Sequence, residues 1–194
     1  MDKAPFIFKI PFLLMFCFLG SIDAQNYSTI SMEVDKIITD FTVARKTYKL
    51  EALIHIDCGA DDEAYDLGGN SEDIGRIHCN RTYIQGADKT GWDFENRYFH
   101  YSINIDYLTD YVIRFSDADD AKRCYKVIIN DKYCLKILHD SESSEDQPGG
   151  WKDFYIMIPE KAFETGKNKI TFDHSNMSER SPAIADIWIY KIIK

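Results

Sequence analysis

The chain has 194 residues, a length that suits a single domain with a leader or tail, and its 45% hydrophobic and 28% charged residues mark it as globular rather than disordered. The net charge is −9 and no basic run of any length occurs. That excludes nucleic acid, whose phosphates need clustered Lys and Arg, and it excludes docking on an anionic membrane surface.

The N-terminus reads as a targeting segment. Lys3 and Lys9 precede an apolar run from Ile10 to Leu19, followed by the small residues Gly20, Ser21 and Ala24. A basic start, a short apolar centre and a small-residue cleavage site predict a secretory signal over 1–24. The run is shorter than the ~20 residues of a transmembrane helix, and no later segment is apolar enough to cross a bilayer. The expectation is a secreted, extracellular chain starting near Gln25, with 25–45 as an N-terminal segment of the main domain at 46–194.

Cys17 would leave with the signal, so Cys58, Cys79, Cys124 and Cys134 remain. An even number in an oxidising compartment predicts two disulfides, with three pairings open. A zinc site is disfavoured because no CxxC spacing occurs. Sequons at Asn26, Asn80 and Asn176 predict exposed, glycosylated positions.

Alternation of apolar and polar residues sets the elements. Ile30 to Val34 and Ile37 to Val43 both alternate, and their β-branched content favours strands over a helix. Tyr48 to Asp57 is a firmer strand, with Leu50, Ala52, Ile54 and Ile56 on one face. The loop from Asp57 to Asp73 follows, carrying five Asp and two Glu. Calcium is the one cofactor its side chains suit. It lacks EF-hand spacing, and a solvated acidic loop stapled by Cys58 is the favoured reading. No other cofactor is expected. Residues 76–91 read as irregular. Trp92 then sits on a loop opened by Gly91.

Tyr98 to Asp106 alternates cleanly, with Phe99, Tyr101, Ile103 and Ile105 on the apolar face. Tyr111 to Ser116 repeats the pattern. Cys124 to Asn130 and Tyr133 to Leu138 predict a hairpin around Asn130-Asp131. A two-residue turn there pairs 127 with Cys134 and Cys124 with 137. The two cysteines then point to opposite faces. That favours bonds from this hairpin to the Cys58–Cys79 region, with Cys58–Cys79 alone still open.

Gly149-Gly150 bend the chain into Trp151, and Phe154, Ile156 and Ile158 form the apolar face of the next strand. Pro159 to Phe163 suits one helical turn with Pro at its first position. Ile170 and Phe172 mark a further strand, and Asp186 to Ile193 a last, nearly all-apolar one. Many short strands without a long helix predict an all-β fold, an antiparallel β-sandwich or jelly roll.

Several stretches resemble known carbohydrate-binding β-sandwiches of the galactose-binding-like kind. "IPEKAFETGKNKITF" and "VIINDKYCLKIL" resemble the paired strands of such modules, and "IHIDCG" is similar to the opening of malectin-like domains. "GADDEAYDLGGNSEDIG", "WDFENRYFHYSINI" and "PGGWKDFYIMIPEKAFETGKNKITF" together resemble the C-terminal accessory β-sandwich of bacterial β-L-arabinofuranosidases. The likeness covers 46–194. The chain departs from those enzymes in its four cysteines and in having no catalytic barrel attached. The resemblance implies a sandwich fold and a glycan or polysaccharide partner.

Catalytic signatures are missing from the sequence. There is no GxSxG elbow, HExxH or P-loop, and the five histidines are scattered. Carboxylates are too many for any pair to single out glycosidase chemistry. The expectation is a protein without enzymatic activity. Sugar binding needs aromatic faces for the ring and planar polar groups for the hydroxyls. Trp92, Tyr98 and Trp151 lie at loop–strand junctions, with Asp93 and Arg97 beside the first two, and these five form the predicted carbohydrate site. Trp188, inside the last strand, is expected to plug the core. The alternative is a secreted, disulfide-bonded protein that uses the same sandwich to bind another extracellular protein.

Overall fold

The computed structural model describes residues 22–23, 38–43, 46–86, 97–141 and 150–193. The expected strand at 30–34, the sequon Asn26, and Trp92 and Asp93 of the predicted site lie outside them. Thirteen strands follow in chain order. They are β1 (Ile22–Asp23), β2 (Ile38–Val43), β3 (Lys46–Asp57), β4 (Gly68–Gly69), β5 (Ser71–His78), β6 (Arg81–Gly86) and β7 (Tyr98–Ile105). Then come β8 (Tyr111–Ala118), β9 (Arg123–Ile129), β10 (Tyr133–His139), β11 (Trp151–Ile158), β12 (Gly166–Asp173) and β13 (Ala183–Ile193). A 3-10 turn at Glu160–Ala162 precedes β12, with Pro159 at its N-cap rather than inside its first turn.

The first sheet runs β1-β10-β9-β12-β7-β4 and the second β11-β8-β13-β3-β2. The β5–β6 hairpin attaches to the second sheet through the start of β13. All pairs are antiparallel except β1 with β10. The fold is a jelly-roll β-sandwich, as the alternation implied. Strand β7 shows why: Phe99, Tyr101, Ile103 and Ile105 are all buried, while their neighbours in the strand are partly exposed. The sheets meet through rings. Phe115 of the second sheet lies 5.4 Å from Phe172 of the first and 5.3 Å from Phe154 on its own sheet. Burying each such ring contributes ~1.5–3 kcal/mol before packing terms.

Three expectations change. Over 76–86 the irregular reading gives way to strands β5 and β6, joined by Cys79 and Asn80, both with positive φ (47° and 63°), while 87–91 lie outside the described residues. That is the backbone of a two-residue type I′ hairpin turn. The β9–β10 register is shifted by one. Ile129 pairs with Tyr133, because Asn130, Asp131 and Lys132 all stay in the turn and Lys132 N donates to Ile129 O at 2.9 Å. Asn130 fixes that turn by donating to Asn168 Oδ1 and accepting from Lys169 N. Cys134 therefore faces Ile128 and Cys124 faces Leu138, which puts both cysteines on one face, opposite the core-facing Tyr125, Val127 and Ile129.

They still cannot bond. Four residues of strand separate their levels, roughly 13 Å, against a Cα separation of ~7 Å at most for a disulfide. None of Cys58, Cys79, Cys124 and Cys134 forms a disulfide, so the two expected bridges are corrected. Cys58 is wholly buried under the end of β3, and Cys79 is exposed at the β5–β6 tip. The two remaining sequons, Asn80 and Asn176, are both exposed at positive-φ turn positions.

One end of the sandwich is held by a buried polar cluster. Asp117 has no exposed surface, and it accepts from Tyr125 Oη (2.9 Å) and Ala183 N (2.9 Å), with His139 Nδ1 at 3.0 Å. Arg123, 1% exposed, lies 3.7 Å from the same carboxylate and donates to Ala118 O, Ser181 O and Asp120. This ties the β8–β9 turn, the end of β10 and the start of β13 together.

Candidate functional site: the outer face of the second sheet

The outer face of the second sheet carries aromatic and charged side chains in ordered rows. Register fixes the rows. Trp188 on β13 pairs with His55 on β3 and with Arg114 on β8, and Arg114 pairs with Tyr155 on β11. One level up, Asp186 pairs with Asp57 and Ser116, and Ser116 with Asp153. One level down, Tyr190 pairs with Ala52 and Val112, and Val112 with Met157. Four strands thus supply one polar row, one mixed row and one apolar row.

The rings pack on each other. His55 and Trp188 stack at 3.8 Å with planes 15° apart, and Trp188 and Tyr190 lie 6.1 Å apart at 15°. The Arg114 guanidinium sits 6.0 Å over Tyr155, a cation–π distance. Trp188 is partly buried on the outer face, packed against a second cluster there, which corrects its expected place in the core between the sheets.

Two hairpins bound the rows. At the lower end, Phe41 of β2 stacks on Tyr155 at 5.7 Å. In a flat sheet their strands, at opposite edges, would be about 19 Å apart, four strand spacings. The sheet curls so far because the β3–β13 register shifts between Ile189 and Tyr190, leaving Leu53 out of the ladder. Phe41, Val43 and Leu50 then bury themselves with Val112, Tyr190 and Ile192 in a second small core on the outer side.

At the upper end, β6 lays Arg81 across the face. Its guanidinium pairs with Asp186 of β13, donates to Ser116 Oγ of β8 at 3.2 Å, and lies 5.2 Å over the Trp151 ring of β11. Tyr83 packs on the same Trp151, and Thr82 donates to Asp57 Oδ1 at 2.7 Å. The strip of the outer face between these two hairpins, floored by the His55–Trp188–Arg114–Tyr155 row, is the candidate cleft.

The cations of the cleft are all taken up by carboxylates. Arg114 donates to Asp153 Oδ2 at 2.6 Å, and Ser116 donates to Asp153 Oδ1 at 2.6 Å. Burial works against the charge of Arg114, but Asp153, Tyr155 and Tyr190 together outweigh it and hold the guanidinium above its ordinary value. His55 has Nε2 2.7 Å from Asp186 Oδ1, and burial lowers its pKa. Two guanidiniums thus meet three carboxylates, those of Asp57, Asp153 and Asp186, so no cation is left in excess. The side chains of Asp153, Arg81 and His55 keep about a third of their surface (33%, 35% and 37%), while Arg114 keeps 10%.

Among the residues expected to bind sugar, those within the described residues fall elsewhere or only at the rim. Trp151 starts β11 at the upper rim of the cleft, beneath Arg81. Tyr98 starts β7 in the first sheet, opposite Asp173 and near His100 (6.2 Å, 17°). Arg97 is buried, with its N–H donating to Ser175 Oγ and its carbonyl accepting from His174 N. Of Arg97, Tyr98 and Trp151, the three predicted site residues within the described residues, only Trp151 belongs to the cleft. In the acidic loop, Asp62 accepts from Gly59 N and Tyr101 Oη, and Asp61 from Asp57 N, so its carboxylates brace the loop. Among the described residues no group of three or more His, Cys, Asp or Glu is placed to hold a metal ion, and no helix is long and apolar enough to cross a membrane.

No protein-family model and no curated protein matches the chain. Solved structures do. An exo-β-1,3-galactanase from Phanerochaete chrysosporium is 13% identical, with 78% of this chain and 32% of that one covered at a TM-score of 0.50. A family GH115 4-O-methyl-α-glucuronidase with specificity for decorated arabinogalactans is 9% identical, covering 79% of this chain and 19% of that one, again at 0.50. A family 35 carbohydrate-binding module from an environmental isolate is 17% identical, covering 73% of this chain and 93% of that one at 0.47. The chain spans about a third of the galactanase it matches. At these identities the likeness to the two enzymes is one of fold, the jelly-roll β-sandwich.

Proposed function

We propose that this chain is a secreted, non-catalytic carbohydrate-binding protein, and that it binds glycan in the cleft on the outer face of its second sheet. The observation that carries the reading is the row His55–Trp188–Arg114–Tyr155 beneath Asp153, Asp186 and Arg81. Partly exposed aromatic surface, that of Trp188 and Tyr155, receives the apolar side of a sugar ring. Carboxylate and guanidinium groups fixed by their own ion pairs present spare lone pairs and N–H groups to hydroxyls without further ordering. The absence of an excess cation suits a neutral glycan rather than an acidic one. The fold shared with parts of a galactanase and of a glucuronidase acting on decorated arabinogalactans supports a polysaccharide ligand. The leader-like segment at 1–24 supports secretion.

Purified mature protein on a glycan array tests this. Trp188→Ala should cost at least tenfold in affinity for the best glycan while the far-ultraviolet spectrum stays unchanged. If Trp92→Ala abolishes binding and Trp188→Ala leaves it intact, the ligand sits at the loop end and the cleft reading fails. A second reading, docking of another extracellular protein, is favoured by the exposed Tyr107 (66%) and Leu108 (46%) at the opposite end of the β8–β11 pair, where Leu108 borders a depression lined by Pro159 and Phe163 and by the charged Asp110, Glu160 and Lys161. Tyr107→Ser with Leu108→Ser would weaken such a contact and spare glycan binding.

A further inference from the structure

The β5–β6 hairpin joins two features that the proposed function leaves separate: a glycosylation sequon and the roof of the cleft. Asn80, Arg81 and Thr82 form the sequon. Asn80 is exposed at the tip, with φ 63°, and the next residue is Arg81, only ~3.8 Å further along the chain between Cα atoms. The Arg81 side chain reaches Asp186, Ser116 and the Trp151 ring, so the tip hangs over the upper half of the cleft. Asn176, the other described sequon, lies on the turn after β12 in the first sheet, away from that face.

We propose that Asn80 carries an N-linked glycan whose inner sugars lie over the outer-face cleft and cap it, competing with external glycan. This rests on the carbohydrate-binding reading for the site and on secretion for the modification. The chemistry is complementary on its own terms. An N-linked core is bulky and begins with neutral sugars, and the cleft offers aromatic floor and paired polar groups with no excess cation. Tethering at the rim makes this contact intramolecular, so a weak interaction suffices at high effective concentration. The cap therefore sets how much external glycan the protein takes up.

The test uses the full chain secreted from a glycosylating host. Peptide mapping after deglycosylation in heavy-oxygen water reads occupancy at Asn80 and Asn176 separately. Three proteins are compared: wild type, Asn80→Gly, which suits the left-handed turn, and Asn176→Gln as the control. Trimming wild type to a single residual sugar with an endoglycosidase gives a fourth sample with no sequence change. Two readouts follow, acrylamide quenching of tryptophan emission and affinity for the best array glycan.

The expected result is Asn80 occupied, quenching raised about 1.5-fold and affinity raised at least threefold in Asn80→Gly and in the trimmed protein, with neither changed in Asn176→Gln. An unmodified Asn80, or equal quenching in all four samples, overturns the cap. Quenching needs no added ligand, so the two readings fail separately. Raised quenching without glycan binding in any sample supports the cap and removes the binding function. Equal glycan binding by all four keeps the function and removes the cap.

Discussion

Asp153→Asn tests the charge balance of the cleft directly. Asp153 holds Arg114 through Nη2 at 2.6 Å and accepts from Ser116 Oγ at 2.6 Å. Asparagine keeps the shape and one acceptor for Ser116 but removes the negative charge. Arg114 is then left among Trp188 and Tyr155 with its partner neutralised. A sugar carboxylate about 6 Å away, at an effective dielectric of ~40, would gain about 1.4 kcal/mol from that cation. That is roughly a tenfold gain in affinity. In the wild type Asp153 cancels this attraction, so a uronic-acid glycan should bind no better than its neutral counterpart. The assay is titration calorimetry with a matched pair of oligosaccharides, one neutral and one bearing a uronic acid, at low salt and at about 1 M salt, where the screening length falls to ~3 Å. The variant should shift preference towards the acidic sugar by roughly tenfold at low salt, and lose the shift at high salt. A wild type that already prefers the acidic sugar, or a variant with unchanged preference, would refute the charge argument.

The fold yields further expectations. Asp117→Ala removes the acceptor of Tyr125 and Ala183 and the carboxylate beside the 1%-exposed Arg123. Urea unfolding should show a loss of ~3–5 kcal/mol, the usual effect of breaking a buried charge cluster from one side, and a loss below ~1 kcal/mol would contradict the cluster's role. His100 and His55 both have pKa values lowered from 6.5, chiefly by burial, with Lys169 adding to the effect at His100. Both take protons less readily when folded than when unfolded. Their contribution is therefore complete above about pH 6.5 and is lost as pH falls through the lowered folded values. Stability measured from about pH 7.5 to 5 should decline with acid, and His100→Gln should flatten the decline. A steeper decline in that variant would reverse the sign.

Strand β7 was legible because its period-2 pattern is unmixed and only one of its faces is buried in the main core. Strand β13 was not legible in the same way. Ile184, Ile187 and Ile189 face the main core, while Trp188, Tyr190 and Ile192 face the second cluster on the outer side. Both faces are apolar, so periodicity could not assign Trp188 to either. The β9–β10 register failed on one residue. Lys132 looks like the first residue of a strand, but its N–H closes the turn on Ile129 O. Side-chain anchoring of Asn130 to Asn168 and Lys169, some 38 residues away, decided the loop length. The cleft was the least legible part. His55, Arg114, Tyr155 and Trp188 come from four strands and meet only through long-range register. Each reads alone as an ordinary strand residue. The loop aromatics drew notice because glycine and polar neighbours flagged them locally.

The ion pairs of the cleft suit the proposed recognition role better than a purely structural one. An outer sheet face that serves only stability has two simple solutions: fully solvated polar residues, or an apolar patch covered by another element. The lower half of this face takes the second, with Phe41, Val43 and Leu50 closing over Tyr190 and Val112. The upper half takes neither. It holds Arg114, 8% exposed, against Asp153, and Arg81 against Asp186, among aromatic rings. Half-buried ion pairs of this kind contribute little net stability, because desolvation offsets the attraction, and apolar replacements of similar volume are often neutral or better. Extending the β2–β3 cover upward by one more pair of residues would bury the row at lower cost. What the charged arrangement provides, and an apolar one cannot, is a set of directional donors and acceptors held rigid beside aromatic surface. That combination recognises hydroxyls on a ring, and it is the physical reason to look for a sugar on this face.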